Sequence, residues 1–308
     1  MKANVYIPTL NGGSLFVALL DALAGQNASI AERVVIDSGS TDGTAEAAQA
    51  HGFKVMGLGS NEFDHGGTRQ LAIDTYPQAD IYIFLTQDAI PANESTLLNI
   101  IRAFDDPEIG MAYGRQLPHK GATLMEAHAR LFNYPPQTQI RSLADADTYG
   151  IKTISCSNSF AAYRRSAFEG VGGFPRGTIM GEDVIVAGKL LLNGWKMAYV
   201  GDACVHHSHA YSLREEFERY FDIGVFHSDN RWIFESFGHA YGEGVKYARS
   251  EISYVARRNP WVLPKVGCSF MAKWLGYRLG LAYRSLPVRL RRAFSMYKSY
   301  WKTARRLP

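Results

Sequence analysis

The sequence predicts an α/β protein: a mostly parallel sheet flanked by helices, followed by a basic helical C-terminal extension. Three observations predict it. Short apolar runs alternate with helix-like segments through roughly the first hundred residues, and the loops between them carry Gly and small polar residues. The charge then changes sign near residue 246. A chain of 308 residues can bury a sizeable core, and 46% hydrophobic with 20% charged residues excludes wholesale disorder.

The chain opens "MKANVYIPTLNGG". No long apolar h-region follows the first charge, so the segment reads as a strand over 4–8 and not as a signal peptide. A helix is expected near 14–24, a second strand over 33–37 and a helix near 42–51 with Thr41 or Asp42 as N-cap. A third strand at 53–58 leads to a helix near 68–75, and a fourth at 80–86 to a helix near 94–104. Sheets of this kind place ligands beyond the carboxyl ends of their strands, where the strand order reverses. The informative residues are therefore Thr9, Asp37 and the run Thr86-Gln87-Asp88.

The stretch 110–211 is less regular and is punctuated by Pro135-Pro136. "TISCSNSFAAYRRSAFEGVGGF" reads as a strand, a short helix and a Gly-Gly turn; "GEDVIVAGKLLLNGWKMAYV" reads as a helix and another strand. Cys156, Cys204 and Cys268 lie far apart without a CxxC and are expected to be core thiols in a reducing compartment. No stretch reaches the roughly 18 apolar residues that span a bilayer.

Four segments can carry chemistry. In "VIDSGSTDGT" the Asp37 carboxylate could accept the N–H of a pyrimidine base, or only cap its turn. In "FDHGGTRQ" two glycines would let backbone approach a ligand, and Arg69 near a helix start suits a pyrophosphate. Glu182 and Asp183 open a helix, where acids complement the dipole, but a Gly-Gly-Phe turn upstream gives them a cleft to face. In "CVHHSHAYS", His206, His207 and His209 cluster beyond a strand, with His207 and His209 expected on one side.

Taken in order, "VYIPTLNG", "VIDSGSTDGT", "GGTRQ", "FLTQDAIP", "VGGF…GED" and "VHHSH" resemble family 2 of inverting, nucleotide-sugar-dependent glycosyltransferases with the GT-A fold. "FDHGGTR", "HSHAYS" and "FERYFDIGVFH" look most like bacterial rhamnosyltransferases, which use dTDP-L-rhamnose in surface polysaccharide synthesis. The resemblance covers roughly residues 3–230. It implies that Thr9, Asp37, Arg69, Gln87 and Asp88 bind the nucleotide sugar, and that Asp183 is the general base with Glu182 orienting acceptor or base. Asp88 would take the last position of the Asp-x-Asp motif that coordinates Mg²⁺ or Mn²⁺, with His207 completing the metal site. Thr86 stands where many members carry the first Asp, and Gln70 where many carry Asn. A UDP-hexose or GDP-mannose donor, and a non-catalytic partner of another transferase, are the alternative readings.

From Lys246 onward fifteen Lys and Arg face one acid, Glu251, a net +14; the eighteen basic and twenty-eight acidic residues before it net −10. The boundary suggests a catalytic domain over 1–245, halved near 115, and a helical region over 246–308. Leu290, Phe294, Tyr297 and Trp301 form one apolar stripe, flanked by Arg289, Arg292, Lys298, Lys302 and Arg305. The pattern predicts an amphipathic helix on an anionic membrane surface, or else a helix docked on the catalytic domain or at a homo-oligomer contact. No nucleic-acid-reading motif accompanies the charge, so nucleic acid is not an expected partner. A glycan acceptor carried on a lipid diphosphate would place such a protein in the cytoplasm, against the inner face of the bacterial membrane.

Overall fold

The computed structural model describes residues 1–59, 63–240 and 242–303. Among them nine strands form one sheet: β1 (Ala3–Thr9), β2 (Ile30–Asp37), β3 (Lys54–Gly57), β4 (Ile81–Leu85), β5 (Ile90–Pro91), β6 (Ile109–Leu117), β7 (Gln139–Arg141), β8 (Phe160–Arg164) and β9 (Lys196–His206). Their order is β3-β2-β1-β4-β8-β6-β9-β5, with β7 paired to β9. The first four are parallel as expected, and β6 and β9 are parallel to each other. β8 runs antiparallel between β4 and β6, which makes the sheet mixed. The order reverses between β1 and β4, so the crevice opens beyond Thr9 and Leu85.

The alternation of each strand divides the core in two. Val5 and Ile7 of β1, with Ile81, Ile83 and Leu85 of β4, meet the helices Gly13–Ala24 and Thr96–Arg102 through Phe16, Leu19, Leu97 and Ile100. Tyr6, Tyr82 and Phe84 point the other way, toward Ala72 and Ile73 of the helix His65–Thr75 and Ile185, Val186 and Leu190 of the helix Glu182–Leu192. Phe84 stacks on Tyr6 at 5.2 Å and meets Tyr163 and Phe174 edge-on. Truncating so enclosed a ring would cost about 3–5 kcal/mol.

Helix starts differ from expectation where a side chain upstream takes the cap. Asp64 accepts from Gly67 N at 3.0 Å, so that helix begins three residues earlier, at His65. The helix Thr44–Ala50 has Gly43, not Thr41 or Asp42, at its N-cap, and Asp42 instead accepts from Thr44.

The C-terminal helices lie against the rest of the chain. Leu263–Leu281 crosses Leu213–Asp229 at Gly224, Gly276 and Gly280, where an added Cβ would overlap the carbonyl oxygens of Tyr277, Phe217 and Phe221 respectively. The predicted stripe over 290–301 is not one helix. A helix ends at Phe294, the chain turns, and a short helix resumes over Tyr300–Thr303. Buried Asp222 causes the break, because its Oδ2 accepts the backbone N–H groups of Met296 at 2.8 Å and Tyr297 at 3.2 Å. Phe294, Tyr297 and Trp301 then pack on the core, leaving Leu290 exposed. These aromatics therefore face the protein and not a lipid; Arg305 lies outside the described residues. Cys268 is likewise no core thiol, since it sits on the outer face of its helix.

Candidate active site

A cavity of about 920 Å³ opens beyond the carboxyl ends of β4, β6 and β9. On one wall stand Thr86, Gln87 and Asp88, immediately after β4. Gln87 ties this end to β1: its Oε1 accepts Leu10 N at 2.8 Å and its Nε2 donates to Leu10 O. Gln87, expected to bind the nucleotide sugar, is thus a residue that already holds two loops together.

Asp88 meets two histidines delivered by the chain leaving β9. His207 Nε2 lies 3.5 Å from Asp88 Oδ1, and His209 Nε2 lies 3.6 Å from Asp88 Oδ2. The three ligand atoms all fall within 4.8 Å of one another. His207 Nδ1 faces Gln116 Oε1 at 3.0 Å, a carbonyl that accepts only from Nδ1–H and so turns the Nε2 lone pair toward Asp88. Burial, with His209 and Arg130 nearby, pushes His207 well below the ordinary imidazole range and keeps the ring neutral. Burial also lowers His209, against the pull of Asp88. His206 points elsewhere, its Nδ1 on Pro118 O at 2.9 Å. Sequence reasoning named Asp88 and His207 but left the choice of histidine open; the fold brings His209 to them as well. A carboxylate and two imidazole nitrogens are a fitting donor set for a first-row divalent cation.

The opposite wall carries the acid pair. Gly181, at φ 76°, sets the turn before the helix, and Glu182 and Asp183 occupy its first positions. Asn158 binds both: its N–H donates to Asp183 Oδ2 at 2.9 Å, and its Nδ2 donates to Glu182 Oε1 at 2.9 Å. Asp183 Oδ1 accepts from Val184 N at 2.8 Å. Burial, then the neighbouring Glu182 charge, raises the Asp183 carboxyl to about 6 despite these bonds. Burial would raise Glu182 too, but Arg69, His65 and Asn158 outweigh it and hold Glu182 below the usual range. The two acids are thereby pushed apart, one a fixed anion and the other poised near neutrality.

Arg69 explains the asymmetry. It is 4% exposed, pairs with Glu182 Oε1 at 3.2 Å and donates to His65 O at 2.8 Å. Its charge is committed to the acid pair instead of standing free for a pyrophosphate. The two glycines before it serve packing: an added Cβ at Gly66 would overlap the Pro175 carbonyl, so the glycine lets this helix reach the turn after Gly-Gly-Phe. Gln70 fixes the same turn through Phe174 N at 2.9 Å. Thr9 and Asp37 lie beside the crevice and do not line the cavity. Asp37 accepts from Gly39 N, Ser40 N, Ser40 Oγ and Thr9 Oγ1, and so caps its turn.

Three further residues escaped sequence reasoning. Asn158 and Gln116 are buried polar groups whose site partners, Glu182 and His207, are more than twenty residues away, and only the polar run before β8 hints at the first. Arg219 lines the cavity beside the Tyr211 ring, at 5.6 Å, and among the described residues no carboxylate lies within 4.0 Å of it. It occurs in "FERYFDIGVFH", between residues that pack, where nothing local separates it from a surface arginine.

Residues 4–172 match the family described as glycosyl transferase family 2. The chain is 47% identical over 302 residues to the O-antigen chain rhamnosyltransferase RfbN of Salmonella typhimurium, covering 98% of this chain and 96% of that protein. It is 44% identical to the O-antigen chain rhamnosyltransferase WbaN of Salmonella anatum, covering 97% and 95%. Among solved structures it resembles the mannosyltransferase PcManGT of Pyrobaculum calidifontis in complex with GDP-Man and Mn²⁺, with a TM-score of 0.56 and 20% identity over 98% of this chain and 85% of that one. It also resembles residues 1–349 of S. aureus TarS in complex with UDP-GlcNAc, with a TM-score of 0.55 and 18% identity over 99% and 92%.

Proposed function

The chain belongs to glycosyl transferase family 2 and has the GT-A fold, and from that premise we propose an inverting transfer of L-rhamnose from dTDP-β-L-rhamnose to a glycan acceptor. The acceptor is carried on a lipid diphosphate, in the assembly of a bacterial surface polysaccharide at the inner face of the membrane. No helix among the described residues is long and apolar enough to cross a membrane.

One observation carries the chemistry: Asp183, raised to about 6, shares a single cavity with the Asp88, His207 and His209 group. As a carboxylate, Asp183 takes the proton of the acceptor hydroxyl while that oxygen bonds to the anomeric carbon. The bond from that carbon to the diphosphate breaks on the opposite face, and its electron pair leaves with the nucleoside diphosphate. A positioned base of this kind contributes about 10²–10⁴-fold. Asp88, His207 and His209 would hold a divalent cation, which when bound would supply Lewis-acid charge for the diphosphate. Two imidazoles favour Mn²⁺ over Mg²⁺, which prefers oxygen donors. Arg219, with its charge unspent, takes the diphosphate-binding part that Arg69 cannot. The near full-length likeness to two rhamnosyltransferases supports the sugar.

The test is a panel of dTDP-rhamnose, UDP-hexoses and GDP-mannose, assayed for slow hydrolysis and for binding with and without Mn²⁺. Selective turnover of dTDP-rhamnose supports the reading. Turnover of another donor alone overturns the sugar, and binding without any turnover or transfer overturns the catalysis.

A further inference from the structure

The helix Leu263–Leu281 has two unlike sides. Inward, Val266, Ser269, Gly276 and Gly280 are buried, and Lys273 reaches Glu216 at 3.1 Å. Outward, Met271 is 63% exposed, Trp274 59%, Leu275 46% and Leu281 38%, while Trp261 in the lead-in turn is 91% exposed. Helical spacing puts the outward residues on one face. A folded chain seldom leaves two tryptophans and three large aliphatic residues open along one helix and its lead-in turn unless they meet something.

The charge around them says what they meet. Arg257, Arg258, Lys265 and Arg278 are all exposed, on this helix or just before it. Glu251, the one acid from residue 246 onward, is fully buried. The face is therefore apolar and cationic, with no exposed carboxylate from the described residues of its own segment, 246–303, to balance it. A second copy would bring like charges together, which disfavours self-association. An anionic bilayer fits both features: tryptophans at headgroup depth, Met and Leu below them, Arg and Lys on phosphates.

We infer that the outer face of Leu263–Leu281, with Trp261, seats the protein on an anionic lipid surface. This relocates the membrane contact expected from the charge, moving it from the 290–301 stripe to a helix whose outer apolar residues stay exposed among the described residues. Lys265 and Lys273, on the inward side of this helix, line the catalytic cavity, so the helix that docks also walls the cavity. The consequence for catalysis rests on the proposed lipid-linked acceptor; the docking itself does not.

Flotation of the full chain with vesicles decides it, comparing phosphatidylcholine alone with phosphatidylcholine containing phosphatidylglycerol. Wild-type protein should float with the anionic vesicles, with a blue shift of tryptophan emission. Trp261→Ala combined with Trp274→Ala should weaken that binding about tenfold, in line with losing buried apolar area. Arg257→Glu with Arg258→Glu should do so without touching an apolar residue. Transfer to a soluble acceptor should be unchanged in both variants, which shows that they fold. Equal vesicle binding by wild type and both variants overturns the proposal. So does a wild-type dimer that the tryptophan variant converts to monomer, since the face would then belong to a second copy. If no donor is turned over at all, the functional reading fails while the vesicle result still decides the docking.

Discussion

Asn158 gives its backbone N–H to Asp183 Oδ2 at 2.9 Å and its side-chain amide to the adjacent Glu182. One residue thus orients the proposed base and helps hold its neighbour ionised, and Arg69 supplies the charge that makes this possible.

Removing the proposed base isolates the chemistry. Asp183→Asn should lower kcat about 10²–10⁴-fold with little change in donor binding. A transfer rate equal to wild type would remove Asp183 from the mechanism.

The pH profile should carry the raised carboxyl. Asp183 must be ionised to accept a proton, so activity should fall as pH drops through about 6. Asn158→Ala removes a donor from Glu182 while keeping the backbone N–H on Asp183, and should move that limb. Thermal unfolding of the same variant should show a loss of about 1–3 kcal/mol.

Chelation should abolish transfer, and Mn²⁺ should restore it better than Mg²⁺. His209→Ala should raise the Mn²⁺ concentration needed for half activity about 10-fold or more. An unchanged requirement would place His209 outside the site.

Arg69→Met should be costly to stability before it is costly to catalysis. It leaves Glu182 buried without its counter-charge, a loss of about 3–5 kcal/mol. Arg219→Ala should instead fold normally and raise KM for the donor. The reverse pattern would restore Arg69 to the diphosphate.

Asp222 makes a separate statement about stability. Burial raises its carboxyl to about 7, against the bonds from Ser295, Tyr297 and Met296. The native state holds this proton more tightly than the unfolded chain, so the contribution of Asp222 to stability is fully present below the ordinary carboxyl range and is lost as pH rises through about 7. Asp222→Asn should flatten that slope in pH-dependent denaturant titrations. A slope unchanged in the variant would mean that other groups produce it.

By itself the sequence determined the four leading strands, the polar positions that follow them, and the candidates Asp88, Asp183 and His207. Each lies where a period or a boundary changes, which is what local pattern records. The tertiary structure decided the partners. Arg69 looked free because its counter-ion, Glu182, is over a hundred residues away; Gly66 looked like a ligand contact because the Pro175 carbonyl is equally distant. The tail's aromatics looked lipid-facing until Asp222 captured the backbone between them. An amphipathic stripe states that one face will be covered, but which surface covers it depends on shape and charge that only the folded chain assembles. The exposed face of Leu263–Leu281 was hidden for the same reason: its Gly276 and Gly280 mark the buried side only once Leu213–Asp229 lies against them.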